Sequence, residues 1–453
     1  MYHRILRSLI LVTPLLGVSL LRADVIREPL QTGVSFDIGQ IREAPDPDAK
    51  ELAMQRTGVL LTQSVTVDER LRLTFSFGGR FLNSFPEDKQ DYRRSLKFAL
   101  EVAQAQGTYA LGSVENPWGR LRFGLIPYKY NPDAKNLGEY LLRSTAYPTI
   151  LVTGGNNIIN SANLIVQGVD FEVSTGPVTH NFLVSMERSY GIEPTGDITP
   201  AYFFAYKPHP FVELGGGVAF AHLIPFKPSI TTPHGKGDGS EPFTRYKNDT
   251  IVTSPNDSVY SNFTYKATKF MARASVNFQA LLKSDLLGPE DLKIYAEAAV
   301  LGWKDYPYYY SDRWHRIPVM VGMNLPTFKL LDVLAVEGEY RKADFINSTS
   351  NSYDEYTYPV PTLEGVFGTQ VDKLKAYNKN SLSKGPWYRN QGIKWSVYAK
   401  RNVIPGIDVY AQVASDHNRA GKFNSEGAFV PSREPLTVTP GDWYYLIRIQ
   451  MGI

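Results

Sequence analysis

The stretch Leu71-Arg72-Leu73-Thr74-Phe75-Ser76-Phe77 alternates strictly between apolar and polar side chains. Successive side chains of a β-strand point to opposite faces, so this stretch predicts a strand with one apolar and one polar face. A tilted strand of about ten residues crosses a lipid bilayer. The pattern recurs at Leu121 to Leu125, Phe270 to Phe278, Leu334 to Tyr340 and Ile393 to Val397. We therefore expect an all-β chain of repeated, membrane-length strands.

The connections between these segments alternate in length. Counting the segments predicts about 16 strands, within a range of roughly 14 to 18. Short turns such as Asp68-Glu69-Arg70 and Thr175-Gly176-Pro177 follow every second strand, and long connections such as 129–163 and 343–391 lie between them. Short periplasmic turns and long extracellular loops are typical of a transmembrane antiparallel β-barrel, whereas a soluble sandwich has no reason for them. The connection 106–118 is longer than this rule predicts.

The N-terminus has the three-part pattern of a secretory signal. Arg4 and Arg7 form a basic start, and the apolar run from Leu9 to Leu21 follows. Residues 1–23 are therefore predicted to be a cleaved signal peptide, and 24–453 a single barrel domain. A membrane anchor is the alternative, although the run is short for a spanning helix and is interrupted by polar residues and proline.

Composition excludes several classes of protein. The chain has no Cys, which removes disulfides, a thiol nucleophile, a thiolate metal site and an acylated cysteine. Hydrophobic residues make up 43%, mean hydropathy is −0.24, and no later apolar run is long enough for a spanning helix, so a helical membrane protein is excluded. The net charge of +3 is small for this length and leaves no pattern typical of nucleic-acid binding.

The C-terminal segment alternates to the last residue. Its apolar positions are Trp443, Tyr445, Ile447, Ile449, Met451 and Ile453. This pattern resembles the C-terminal signal by which outer-membrane barrels are presented to the barrel-insertion machinery. The last residue of that signal is usually aromatic, and Ile453 departs from it. The alternative is an ordinary edge strand that happens to end the chain.

In its whole pattern the mature chain resembles the porin-type outer-membrane proteins. Two stretches, Tyr128-Lys129-Tyr130-Asn131-Pro132-Asp133 with Gly138-Glu139-Tyr140 and Leu331-Asp332-Val333-Leu334, are also similar to segments of fibrobacterial barrel proteins. The resemblance implies a Gram-negative outer-membrane location and contact with outer-membrane lipid. It also implies the passage of small polar solutes and a possible homo-oligomer.

The strand register predicts which charged residues line the pore. Lipid offers no hydrogen bonds, so charged side chains of a barrel strand are expected to point inward. The predicted pore-lining residues are Arg72, Lys97, Glu101, Arg120, Arg122, Asp170, Glu172, Arg273, Glu297, Glu337, Lys394 and Arg448. Because inward bases and acids are about equal in number, no strong anion or cation preference is predicted. They would form either a basic wall facing an acidic wall or a ladder of cross-strand ion pairs.

The connection 129–163 is the candidate constriction loop. It carries an apolar stripe at helical spacing, Leu137, Tyr140, Leu141 and Leu142, and an apolar stripe in a loop must pack on some surface. Infolding into the lumen makes it a constriction, whereas packing on the outer rim makes it a cap.

Neither the motifs of an enzyme nor those of a cofactor site occur. The chain has no Gly-x-Ser-x-Gly, and its seven His show neither catalytic nor zinc spacing, so no enzyme, metal or cofactor is expected. The predicted function is passive diffusion of small hydrophilic solutes or ions through a charged lumen. The alternatives are a non-conducting structural or adhesion barrel, and an oligosaccharide-specific channel suggested by aromatic clusters around Trp303 and Tyr356.

Overall fold

The protein is described by a computed structural model. The described residues are 25–43, 53–85, 97–142, 164–186, 197–221, 223–224, 245–247, 250–252, 267–303, 313–342, 391–415, 421–423, 429–431, 441 and 443–452. The predicted signal peptide, residues 143–163 of the predicted constriction loop, the cluster around Tyr356 and the C-terminal Ile453 lie outside them.

Almost every described element is a strand. In chain order the strands are β1 Val25–Arg27, β2 Gln31–Glu43, β3 Ala53–Val67, β4 Leu71–Phe85, β5 Lys97–Gly112, β6 Pro117–Tyr128, β7 Leu164–Thr175, β8 Val178–Met186, β9 Ile198–His209, β10 Val212–Ala221, β11 Arg245–Lys247, β12 Thr250–Val252, β13 Ala267–Asn277, β14 Lys293–Val300, β15 Val319–Asn324, β16 Val333–Lys342, β17 Gln391–Ile404, β18 Ile407–Ala414, β19 Gly421–Phe423, β20 Phe429–Pro431 and β21 Trp443–Gly452. The described helical segments are the α-helix α1, Phe278–Leu282, and a 3-10 turn, Arg313–Arg316. No helix among the described residues is long and apolar enough to cross a membrane.

Sixteen strands close into an antiparallel barrel, which confirms the predicted fold class. Neighbours pair in chain order from β2 to β10, continue through β13 to β18 and β21, and return to β2. The short strand β1 pairs with β3 beyond the end of β2, from Val25 opposite Val67 to Arg27 opposite Val65. The pairs β11–β12 and β19–β20 are separate hairpins.

The connections of the barrel alternate as the sequence predicts. At one end, here called the turn end, β3 joins β4 through 68–70, β7 joins β8 through 176–177 and β17 joins β18 through 405–406. At the loop end, connections such as that between β6 and β7 are long. The prediction of a long 106–118 connection was wrong in its bounds. Because β5 continues to Gly112 and β6 begins at Pro117, only 113–116 remains as a turn.

The two faces of each strand differ as a barrel in lipid requires. In β21, Tyr444, Leu446 and Arg448 are buried, whereas Ile447 and Ile449 are 42% and 40% exposed on the opposite face. This alternation puts polar and large side chains into the lumen and aliphatic side chains outside.

A charged triad stands at the seam where the barrel closes. Arg448 of β21 donates from Nε and Nη2 to the Asp37 carboxylate of β2, at 2.6 and 3.0 Å. Arg56 of β3 donates from Nε to Asp37 Oδ2 at 2.6 Å. One buried carboxylate therefore ties together the first two barrel strands and the last one.

Replacing Asp37 with Ala is expected to destabilise the barrel by about 3–5 kcal/mol, because the buried guanidinium group of Arg448 and the partly buried one of Arg56 lose their counter-ion. Guanidinium-induced unfolding of the refolded protein in micelles measures the change. Asp285 is exposed in the connection after β13, so Asp285→Ala is a matched control that should leave the midpoint unchanged. Equal midpoints for both variants would contradict a clamp at the seam.

Candidate functional site

Residues 129–142, which we call the inner loop, lie inside the barrel. Tyr130, Leu137, Tyr140 and Leu141 are buried in one cluster with inward residues of β7 to β10 and β13 to β15. These wall positions are small or apolar, for example Ala201. The inner loop therefore fills part of the lumen by packing its apolar side chains on an apolar sector of the wall.

Glu337 of β16 fixes the middle of the inner loop. Its carboxylate accepts the backbone N–H groups of Lys135, Asn136 and Leu137, at 2.5, 2.8 and 2.9 Å. The hydroxyl of Tyr295 donates to the same carboxylate at 2.9 Å. Buried backbone N–H groups need acceptors, and here one ionisable side chain satisfies three consecutive ones.

Glu297 of β14 fixes both ends of the inner loop. It accepts the Tyr130 hydroxyl at 2.7 Å, the Asn131 side-chain amide at 2.6 Å and the Tyr140 backbone N–H at 3.0 Å. The Tyr130 hydroxyl in turn accepts the N–H of Leu141 at 3.0 Å. The two predicted pore-lining acids Glu297 and Glu337 thus contact the loop directly.

A glycine makes room for the Tyr295 contact. Tyr295 of β14 and Glu337 of β16 both lie opposite Gly322 of β15, so the ring must pass over this residue to reach the carboxylate. A Cβ atom at Gly322 would lie 2.2 Å from the Tyr295 ring. Only glycine fits beneath the ring without displacing it.

Lysine and carboxylate groups surround the turn of the inner loop. Lys293 Nζ lies 2.7 Å from Asp133 Oδ1 and 3.4 Å from Glu290 Oε2. Burial alone would raise the pKa of Asp133, but its hydrogen bond to Lys293 and the lysine's charge lower it overall. Burial lowers the pKa of Lys135, although Glu290 opposes the change. This side of the loop is therefore held by ion pairs with the turn-end side of β14.

Glu139 is an inner-loop carboxyl group whose pKa is raised into the neutral range. Burial raises its pKa to about 7; the positive charge of Lys129 opposes this rise and the negative charge of Glu297 adds to it. Its carboxylate accepts the backbone N–H of Asn131 at 3.4 Å. The packed loop therefore favours the protonated form of a carboxyl group whose ordinary pKa is 4.5.

Four predicted pore-lining residues stand together on β6 and β7. Arg122 Nε donates to Asp170 Oδ2 at 2.6 Å, and Asp170 is fully buried. Arg120 Nη1 lies 3.7 Å from Glu172 Oε1, with side chains 58% and 32% exposed. The Arg122–Asp170 pair is largely buried, whereas the Arg120–Glu172 pair is accessible.

The other predicted residues are distributed around the wall. Arg273 pairs with Glu213 of β10 at 2.6 Å, and Arg72 pairs with Glu28 at 2.5 Å. Lys394 is buried and lies opposite Glu339 in the pairing of β17 with β16. The predicted residues therefore do not form one site but several cross-strand groups.

Two predicted residues have undescribed side chains, and other contributors were missed. Lys97 and Glu101 lie in β5 at positions whose side chains are outside the described set. Sequence reasoning missed Arg56 and Glu290, since the pattern around each predicts no partner. Asn131 and Asp133 belong to the stretch that resembles fibrobacterial barrel proteins, but no local pattern predicts their contacts with Glu297 and Lys293.

Replacing Glu337 with Gln is expected to loosen the inner loop. A hydrogen bond to a charged group contributes about 1.5–3 kcal/mol, so losing one raises the population of the detached loop roughly tenfold to hundredfold. Because the chain has no Cys, Ala134→Cys introduces a single buried thiol, and its rate of labelling by a maleimide reports detachment.

Glu213→Gln in the same Ala134→Cys background is the matched control, because Glu213 pairs with Arg273 and Lys207 on another part of the wall. Its labelling rate should stay within about twofold of the parent. Equal rates for the Glu337 variant and this control would contradict the role of Glu337 in holding the loop.

Raising the pH is expected to loosen the inner loop through Glu139. Its pKa is about 7 in the packed state and 4.5 when free, so the packed state is most favoured below pH 4.5. The stabilisation of the packed state by Glu139 decreases as the pH rises from 4.5 to about 7, and it changes little at higher pH. The labelling rate of the Ala134→Cys protein is measured at each pH and divided by the rate of the Ala134→Cys, Glu139→Gln double variant. The division removes the effect of pH on thiol ionisation, which is common to both proteins. The ratio should rise several-fold between those pH values, and a flat ratio would contradict the assignment.

Several solved barrels are similar to this chain. OprB of Pseudomonas putida, in a high-pH structure, is 9% identical, with 94% of each chain covered and a TM-score of 0.50. OmpF of Salmonella typhi in complex with daunomycin is 9% identical, with 94% of this chain and 97% of that chain covered and a TM-score of 0.46. A mutant of the Rh. blastica porin is 7% identical, with 94% and 100% covered and a TM-score of 0.43.

Comparisons of sequence add nothing to this similarity. No protein-family model and no curated protein matches the chain. The likeness to OprB shows the fold alone, because the identity is low. The chain therefore has the sixteen-stranded fold of a porin-type outer-membrane barrel.

Proposed function

We propose that this chain is a porin-like channel of the Gram-negative outer membrane, through which small hydrophilic solutes or ions diffuse passively. The observation that carries the proposal is a closed barrel whose inner face bears paired charges and whose inner loop occupies part of the lumen. The polar side chains of the lumen can form hydrogen bonds with water and with solutes. The lipid outside the barrel cannot form them.

The mechanism is diffusion along a charged wall, without covalent chemistry or a bound cofactor. The connection 129–163 is the constriction loop, and Glu297 and Glu337 hold its described part in place. The accessible charges Arg120 and Glu172 face the water-filled space, so they set the weak ion preference of the pore.

The chain reaches this location as an exported protein. Residues 1–23 form the cleaved signal peptide, and the alternating strand β21 is the segment recognised by the barrel-insertion machinery. Outer-membrane lipid surrounds the apolar outer face, and copies of the barrel associate as a homo-oligomer. Nucleic acid is not a partner.

Single-channel recording of the refolded mature protein in a planar bilayer tests the function. Stepwise openings with weak ion preference are expected, because Arg120 pairs with Glu172, Arg122 with Asp170 and Arg273 with Glu213. A folded, heat-modifiable barrel that never conducts would overturn the channel and leave a structural or adhesion barrel.

Charge variants of the accessible pair test the pore wall in the same recordings. Arg120→Gln leaves Glu172 unpaired and should shift the reversal potential in a salt gradient toward cation preference, whereas Glu172→Gln should shift it toward anion preference. The control is Arg401→Gln at the turn end, where Arg401 lies 3.7 Å from Asp332, and it should change neither. Shifts of the same sign in both variants would contradict the assignment.

A further inference from the structure

A patch of uncharged polar side chains occupies one sector of the inner wall, with the Arg72–Glu28 ion pair at its edge, where Arg72 lies opposite Thr108. It is formed by inward positions of β3, β4 and β5, and we call it the neutral wall. Its members are Thr62, Ser64, Thr74, Ser76, Gln104, Gln106 and Thr108. The register places them as a continuous patch, because β4 lies between the other two strands and pairs with both.

Cross-strand hydrogen bonds hold the hydroxyl groups of this patch. Thr62 Oγ1 and Ser76 Oγ lie 2.8 Å apart, and Ser64 Oγ and Thr74 Oγ1 lie 3.1 Å apart. These bonds fix the rotamers of the groups that they join. A solute that binds there therefore meets groups that are already ordered, which lowers the entropic cost of contact.

The carboxamides of β5 continue the ladder. Gln104 Nε2 donates to Gln106 Oε1 at 3.2 Å, and Gln106 Nε2 donates to Thr108 Oγ1 at 2.7 Å. A carboxamide has two N–H donors and two acceptor lone pairs, so these bonds use only half of the capacity of Gln106. Gln104, Gln106 and Thr108 are partly exposed and can offer their remaining hydrogen-bond donors and acceptors to a solute.

The neutral wall lies opposite the filled sector of the lumen. The described contacts of the inner loop fall on strands from β6 to β16 and not on β3 to β5. Glu297 and Glu337 are fully buried under the loop, whereas the carboxamides remain accessible. The space that the inner loop leaves open therefore runs along the neutral wall.

The described charges within and beside this sector occur in ion pairs. Arg72 lies opposite Thr108 and 3.4 Å from Ser64 Oγ, and it is paired with Glu28 at 2.5 Å. Arg120 lies 3.7 Å from Glu172. Arg122 is paired with Asp170 on one side, and Arg56 and Arg448 share Asp37 on the other. A solute beside the neutral wall therefore meets many donors and acceptors but little net charge. An ion that sheds water there meets charged side chains that already have partners, such as Arg72, whereas a hydroxyl group exchanges one hydrogen bond for another.

We propose that the neutral wall selects uncharged, polyhydroxylated solutes, the chemistry of sugars and polyols, over acids of the same size. Each solute hydroxyl both donates and accepts, as the side chains of the wall do. The inference rests on the proposed channel function and names the substrate class of that same pore.

The test compares D-glucose with D-gluconate, which has the same carbon skeleton and a carboxylate, in proteoliposomes. The parent protein should admit glucose about tenfold faster than gluconate. The double variant Gln104→Leu with Gln106→Leu keeps the side-chain size but removes both carboxamides, and should lose about tenfold in glucose rate. Its conductance in potassium chloride should stay within about twofold of the parent.

Gln450→Leu is the matched control. Gln450 is an exposed residue of β21, opposite Ser35, and it lies outside the neutral wall, so the same chemical change should leave the glucose rate unaltered. Retention of the glucose rate in the double variant, or equal loss in the control, would overturn the proposal.

A measurement on the unaltered protein covers the case in which the double variant does not fold. Glucose added during single-channel recording should interrupt the ionic current in a concentration-dependent way, and gluconate at the same concentration should not. A conducting pore that admits both solutes equally and shows no interruptions would overturn the selectivity while leaving the channel function intact. A barrel that passes neither ions nor glucose would overturn the channel function itself.

Discussion

Closure of the sheet between β2 and β21 is the constraint on which the rest of the structure depends. Lipid offers no hydrogen-bond partner, so the backbone groups of every spanning strand must be paired by a neighbouring strand. The first and last barrel strands meet this requirement from Gly33 opposite Gly452 to Glu43 opposite Trp443. Asp37, held by Arg448 and Arg56, fixes that register from inside the barrel. A shift by one residue would turn the charged face toward lipid, so the same seam also determines which side chains line the lumen.

Once the lumen is closed, a loop inside it faces the same problem of unpaired backbone groups. The inner loop resolves this problem with acids from the wall, since Glu337 and Glu297 accept N–H groups that have no strand partner. Its apolar side chains pack on small wall residues, such as Ala201 of β9 and Ala299 of β14. Packing and hydrogen bonding together draw the loop to one side of the lumen, and the sector formed by β3 to β5 stays accessible.

Local sequence predicted the strands far better than the contacts between them. The alternation in 71–77 and the parity of turns predict the barrel, because both depend on neighbours in the chain. The second half of β5 was missed because Gly107 interrupts the apolar pattern; the ring of Phe123 on the next strand lies over that glycine and supplies the missing apolar surface. The bond from Lys135 to Glu337 joins residues about 200 positions apart, and no local pattern encodes such a partner.

The lumen thus holds a pH-sensitive carboxyl group in the inner loop and a patch of neutral side chains on β3 to β5. The inner loop contains Glu139, whose pKa of about 7 makes loop packing depend on pH. The neutral wall is built from Ser, Thr and Gln alone, and none of these side chains ionises near neutral pH. A change of pH therefore acts on the position of the loop and on the width of the space beside it, but not on the chemistry of the wall that borders that space. We infer that pH, through its effect on the inner loop, regulates how fast solutes pass. The kind of solute that passes is determined by the side chains of the neutral wall, which do not ionise.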